Sequence, residues 1–189
     1  MAITSSVSGF LSQVKQGVRP NMFQVDITFP GEGTSGNKQQ LASYMCKSAA
    51  LPASNVGVIE VPFRGRTVKI AGDRTFDNWS ATFINDKEMK IRAYFEDWMK
   101  QINTHQANTA DIIDPTAYGR NVYIKQLEKD ESEGGNEVRQ YRLWYAFPTS
   151  TSAIDLAYDS NDQIEEFTVE FQYSYWTVDT AGKAAIAIP

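Results

Sequence analysis

Few residues of this chain have the type and spacing to do chemistry. His105 is its one histidine and Cys46 its one cysteine. One cysteine excludes an internal disulfide and a multi-cysteine metal site, and Cys46 reads as a half-buried thiol in a strand. His105 stands in a polar loop with no second ligand to share zinc. No G-x-S-x-G elbow accompanies it, so it reads as a solvated loop residue. Gly31, Gly33 and Gly36 match the dinucleotide pattern G-x-G-x-x-G after a strand. That pattern holds a pyrophosphate only where a helix opens at the last glycine within a βαβ unit. The following NKQQLASYM has no helical stripe, so a hairpin loop is expected there. Asp159, Asn161, Gln163 and Glu170 fit positions 1, 3, 5 and 12 of a calcium loop, but Ile164 stands where glycine is needed. An ordinary DSND turn is expected instead. Asp73, Asp77, Asp86, Glu96 and Asp97 could supply carboxylate pairs for acid–base work. Their flanks read as turns and a solvated helix face. The expectation is no catalytic residue, no cofactor and no metal.

Composition points the same way. The 189 residues carry a net charge of −5 with a pI near 4.9. Such a chain is not built to grip phosphates, which takes clustered Lys and Arg. The densest basic run is Arg64, Arg66, Lys69 and Arg74. It reads equally as a contact with an acidic neighbour or as a charged edge strand that resists aggregation. No apolar run approaches the roughly 18 residues of a membrane span. The N-terminus lacks the basic start and apolar core of a signal peptide. No membrane anchor is expected, and the protein is expected in the cytoplasm of the cell that makes it.

The chain is long enough for one domain with a sizeable core. The elements that would position any site are mostly strands. Phe10, Leu11 and Val14 have helical spacing, so a short helix is expected near 6–16, within an N-terminal arm over 1–18. Phe23, Val25, Ile27 and Phe29 alternate with Gln24, Asp26 and Thr28, the pattern of a half-buried strand. Leu41 to Lys47 reads as a weaker strand. Pro52 and Pro62 bracket a β run within 48–66, which is not expected in a central sheet; it reads as a projecting excursion, possible as a hairpin with Thr67 to Ile70. Ala71-Gly72-Asp73 reads as a turn. Trp79, Ala81 and Phe83 share one face of the next strand. Asn85 and Glu88 match a capping box for a helix striped with Ile91, Tyr94, Phe95, Trp98 and Ile102.

Residues 103–119 read as a polar loop, and Arg120 to Glu128 as a strand joined by an acidic turn to Val138–Phe147. Tyr141, Leu143, Tyr145 and Phe147 share a face there, and Pro148 ends the strand. Ile154 to Tyr158 reads as a short strand and Gln163 to Val178 as one long last strand. A tail over 179–189 is expected to be flexible. Eight or nine antiparallel strands and one main helix suit two packed sheets with a flanking helix, a sandwich or partly open barrel.

RPNMFQVDITF (19–29), LP (51–52), VPFRGRTVKIAGDRTFDNW (61–79) and INDKEMKIRAYFEDW (84–98) together resemble the tail tube protein family of contractile-tailed, T-even-type phages. DSNDQIEEFTVEFQYSYW (159–176) resembles that family's last strand. The likeness spans roughly 19–178; the loops at 30–40 and 103–119 and the tail after Trp176 depart from it. It implies two roughly orthogonal antiparallel sheets with a flanking helix, and a structural protein without catalysis. It implies hexameric rings stacked into a tube whose sheets join around a lumen. The tube would start at a baseplate, end at a terminator, be wrapped by a sheath, and conduct double-stranded DNA. The location implied is the virion tail. A type VI secretion or other contractile injection tube is the alternative, and a carboxylate hydrolase a remote one.

Two site expectations combine the residue pattern with this resemblance. Leu51, Pro52, Val56, Ile59, Val61, Pro62, Arg64 and Arg66 are the candidate inter-ring contacts. Asp26, Glu166 and Glu170, on the polar faces of the first and last strands, are the candidate lumen-facing residues; facing outward to sheath or solvent is the other reading of the same pattern.

Overall fold

A computed structural model describes residues 7, 10, 11, 17–31, 37–110, 112–128, 137–161 and 163–179. Nine strands form two antiparallel layers and a separate hairpin. The first layer runs β1 (Phe23–Ile27), β6 (Arg120–Leu127), β7 (Glu137–Thr151) and β9 (Tyr175–Asp179). The second runs from the far half of β7 through β8 (Glu166–Gln172) and β5 (Trp79–Ile84) to β2 (Cys46–Ala49). The hairpin pairs β3 (Asn55–Phe63) with β4 (Arg66–Thr75). Three helices lie within residues 37–179: α1 (Asn37–Met45), α2 (Lys90–Ile102) and α3 (Pro115–Tyr118). Val7, Phe10 and Leu11 are helical and exposed; the rest of the helix expected near 6–16, the acidic turn over 129–136 and the tail beyond Asp179 lie outside the described residues.

The alternating patterns build the core. Val25 and Ile27 of β1, Trp79, Ala81 and Phe83 of β5, and Phe167, Val169 and Phe171 of β8 all face inward, at most 2% exposed. Helix α2 closes this interior with Ile91, Phe95 and Trp98. Phe95 lies 5.1 Å from Phe83, 5.3 Å from Phe29 and 5.9 Å from Phe171 between ring centroids. These are tilted or edge-on contacts that aromatic quadrupoles favour. Fully burying each such side chain contributes roughly 1.5–3 kcal/mol.

The start of α2 differs from expectation. It begins at Lys90, after Met89 in the left-handed region at φ 53°, and no side chain caps it at that position. Asn85 is instead buried and donates to Glu165 Oε2 at 3.1 Å. Asp86 reaches the first turn, where its Oδ1 accepts from the Ile91 N–H at 3.3 Å. The polar loop over 103–119 also contains α3, whose first turn is capped by Asp114 accepting from the Thr116 N–H at 2.9 Å.

Leu41–Lys47 is not a strand. Residues 37–45 are α1, and only Cys46 begins β2. A helix therefore does follow the glycine pattern, against the reading of 37–45 as loop. Its other requirement is still unmet, because β1 and β2 pair with antiparallel neighbours and not in a parallel βαβ unit. Residues 32–36 lie outside the described residues.

Strand β7 serves both layers. Its first half pairs with β6 and β9, its second with β8. The change of layer falls at Tyr145, whose φ is 55°. That twist breaks the alternation: Leu143 and Ala146 are both fully buried while Tyr145 is exposed. Tyr145 therefore leaves the face expected for it with Tyr141, Leu143 and Phe147. Gly119 makes the kink possible, since a Cβ there would meet Pro115 O at 2.7 Å and Tyr145 Cα at 3.0 Å. Pro148 does not end β7. The register shifts between Pro148 and Ser150, and an irregularity of this kind tolerates a residue with no N–H to donate.

The expected last strand is two strands. A bend at Ser174, whose N–H bonds Trp144 O at 3.0 Å, separates β8 from β9 and passes the chain from the second layer to the first. Tyr175 thus leaves the buried face and lies near-parallel to the Trp144 ring, 5.8 Å between centroids. Residues 152–157 form no strand. Ala71-Gly72-Asp73 is no turn either: β4 runs through it, opposite a register shift between Val56 and Val58.

Candidate assembly surfaces

Among the described residues, no group of three or more His, Cys, Asp or Glu side chains is placed to hold a metal ion. His105 is exposed. Cys46 packs against the core, and burial pushes its thiol pKa up to about 12, so it stays protonated and unreactive at neutral pH. Asp77 is spent on the hairpin base, accepting from Asn55 Nδ2 at 2.6 Å. Glu170 lies on β8 opposite Ser80, away from any calcium loop at Asp159. No helix among the described residues is long and apolar enough to cross a membrane.

What the chain does present is unpartnered surface. Every residue of β3 is exposed, and so is all of β4 except Gly72. The turn is Arg64-Gly65, with φ of 46° and 79°; two left-handed residues in a two-residue loop match the twist of the strands they join. The register places Ile59 opposite Ile70, Val61 opposite Val68 and Phe63 opposite Arg66 on one face. The other face carries Val58, Ala71, Pro62 and Thr67, with Glu60 and Lys69 paired at 3.7 Å. The hairpin is thus an amphipathic ribbon whose apolar stripe is in solvent, with Phe63 at 62% and Ile59 at 54% exposed. Its base is tied to the body: Trp79 Nε1 donates to Ala50 O at 2.6 Å and Trp176 Nε1 to Ala53 O at 3.0 Å. An isolated two-stranded hairpin is marginal in water, and an exposed apolar stripe marks a contact surface.

All eight residues expected at an inter-ring contact fall on this hairpin or its approach. Val56, Ile59, Val61 and Pro62 are on β3, Arg64 is in the turn, Arg66 starts β4, and Leu51 and Pro52 lie before it. Arg64 rests 5.3 Å from the Phe63 ring centre.

The three acids expected at the lumen lie on two layers. Asp26 is on the outer face of the first layer, 8% exposed, with Lys125 Nζ at 3.3 Å and Gln24 Nε2 at 2.9 Å. Burial pulls the Lys125 ammonium pKa down, but Glu137 (2.9 Å away) and Asp26 more than offset this, leaving it above the usual lysine value. Glu166 and Glu170 are on the outer face of the second layer among Ser80, Thr82, Thr168 and Ser150. Thr82 and Thr168 hydroxyls lie 3.1 Å apart, and Glu170 Oε2 accepts from Ser150 Oγ at 3.3 Å. Lys47 reaches Glu166 at 2.5 Å. Alternation placed each acid on a polar face, but only long-range pairing shows which layer that face belongs to. The partners Lys47 and Lys125 carried no local signal.

Sheet edges add to the open surface. Among the described strands, β1, β2 and β9 each have one side without a partner strand.

Residues 18–179 match the family described as phage tail tube protein. The chain is 35% identical over 158 residues to the tail tube protein gp19 of Enterobacteria phage T4, covering 84% of this chain and 90% of that one. It is 26% identical to the tail tube protein of Serratia phage KSP90, covering 92% and 95%. In structure it is similar to the anti-feeding prophage tube terminating cap (TM-score 0.63, 19% identity, 95% and 99% covered). It is also similar to a chain of an extracellular contractile injection system sheath–tube complex (TM-score 0.61, 16% identity, 94% and 99% covered). These two likenesses concern the fold. The chain belongs to the phage tail tube protein family. It is a tail tube protein of a contractile phage tail, a structural component of the virion tail.

Proposed function

We propose that six copies of this chain close into a ring, that rings stack into the inner tube of the tail, and that double-stranded DNA passes through the lumen. The observation that carries this reading is the β3–β4 hairpin, an amphipathic ribbon whose apolar stripe stays exposed among the described residues. Such a ribbon is stable when a neighbouring subunit covers it, so it is assigned to the contact between rings, with Leu51, Pro52, Val56, Ile59, Val61, Pro62, Arg64 and Arg66. The unpartnered edges of β1, β2 and β9 are assigned to neighbours within the ring, since closure into a barrel removes the hazard of a free edge. A sheath around the tube, a baseplate below and a terminator above are the partners; the sheath–tube and terminating-cap neighbours support this. Assembly takes place in the host cytoplasm, and no catalysis is involved.

Glu166 and Glu170 line the lumen. Their face is small, hydroxyl-rich and acidic, so it repels phosphates and gives DNA little to adhere to. Asp26 is set aside from the lumen because it is nearly buried, on the other layer.

Negative-stain electron microscopy of the purified chain at rising concentration, with and without baseplates, tests the assembly. Rings or hollow tubes of uniform diameter are expected. A strictly monomeric species under every condition would overturn the reading. For the lumen, the E170K variant should still form tubes but eject DNA poorly. Normal infectivity would assign this face to the outside of the tube.

A further inference from the structure

We propose that the receiver for the hairpin is the cradle formed by residues 153–166 on a second copy of this chain, so that rings join hairpin to cradle, head to tail. This rests on the ring-stacking reading above and names the surface that reading leaves open.

Position comes first. The hairpin springs from the Trp79 end of β5, between β2 and β5. Strand β8 is antiparallel to β5, with Phe171 opposite Trp79 and Glu166 opposite Ile84. The connection from β7 to β8 therefore lies at the other end of the second layer, about 17 Å away at the usual rise per strand residue. A surface and its receiver at opposite ends make a heterologous contact, the kind that repeats indefinitely along an axis.

Shape and chemistry come next. Residues 153–158, 160 and 163–166 line an open concavity of about 680 Å³. Leu156, Tyr158 and Ile164 are 81%, 108% and 68% exposed there, an apolar lining left open among the described residues. Asp155, Glu165 and Glu166 line it, Asp159 is exposed on the same connection, and residues 152–166 contain no lysine or arginine. Lys47 answers Glu166 and Asn85 bonds Glu165; Asp155 and Asp159 are exposed. The hairpin is the complement. It offers an apolar stripe (Ile59, Val61, Phe63, Val68, Ile70) and four cations, Arg64, Arg66, Lys69 and Arg74, against two acids, Glu60 and Asp73. Opposite charge around matched apolar surfaces fixes the register of docking and rejects like-charged alternatives.

Two measurements test this. Hydrogen–deuterium exchange compares the wild-type chain as protomer and as tube. Residues 58–70 and 153–166 should gain protection together; tubes that protect the hairpin while leaving 153–166 unchanged would overturn the pairing and leave the tube reading intact. If the wild-type chain never forms rings or tubes, both fall. The second measurement reads the lowest protein concentration that supports tubes. R64E/R66E and D155K/D159K should each raise it about tenfold or more, and the four-fold combination should return it to within about threefold of wild type, as coupled sites do. A combination as poor as the product of the two would overturn the pairing.

Discussion

The hairpin (Asn55–Thr75) and the unit that follows it (Trp79–Ile102) are neighbours in sequence with similar apolar content, yet their fates are opposite. Every inward residue of β5 and α2 is covered by the protomer's own chain: Trp79, Phe83, Ile91, Phe95 and Trp98 are at most 2% exposed. Ile59, Val61, Phe63, Val68 and Ile70 are 42–62% exposed. Trp79–Ile102 builds the protomer's own core; the hairpin is the surface proposed above for contact with another subunit. Apolar content alone does not identify a core, because burial may be completed by another subunit.

The comparison can be broken at its buried end with the largest effect. Phe95 touches Phe29, Phe83, Phe167 and Phe171, so Phe95→Ala should destabilise the protomer by about 3–5 kcal/mol. Urea unfolding of the unassembled chain reads it, and a loss below about 1 kcal/mol would mean α2 is not the closure of the core. At the exposed end the effect should move from stability to assembly. Ile59→Asp should change protomer unfolding by no more than about 0.5 kcal/mol, as for a surface change, while abolishing tubes in electron micrographs. A large loss of protomer stability would show that the hairpin packs on its own body.

Cys46 sharpens the boundary between the two, since it opens the strand that feeds the hairpin. Its thiol is held protonated up to about 12 against an ordinary value of 9.0. The stabilisation this represents is complete below pH 9 and lost as pH rises toward 12, because the unfolded thiol ionises first. The ceiling is about 4 kcal/mol at 1.36 kcal/mol per unit. Cys46→Ala should flatten the alkaline fall in stability over that window, and iodoacetamide should label wild-type Cys46 slowly at pH 8. Equal slopes for both chains would place the thiol in contact with water.

Elements whose alternation is enforced by one buried face were legible in the sequence: β1, β5 and the α2 stripe stand where their periodicity put them. Those governed by distant partners were not. Helix α1 buries only Ala42, so its sequence has no stripe to read. Pro148 looked like a stop because its tolerance depends on a register shift against β8. Gln163–Val178 looked continuous because the bend at Ser174 is set by Trp144, 30 positions earlier. Asn85 looked like a helix cap because its real partner, Glu165, lies on another element. The candidate surfaces were legible in part. Prolines and apolar residues marked the hairpin, but Leu156 and Tyr158 were read as strand and Ile164 only as a break in a calcium loop, although three large apolar residues among acids were a signal.

Strand β7 has a mechanical meaning. Its 15 residues run through both layers, so the layers are joined by covalent backbone as well as by packed side chains. Side-chain packing yields to sliding; a strand pulled along its length does not. A load applied to one face of the subunit is thus passed to the other through β7, with Tyr145 as the corner that turns it. Under such a load that corner would pass force from one layer to the other and keep the two from shearing apart.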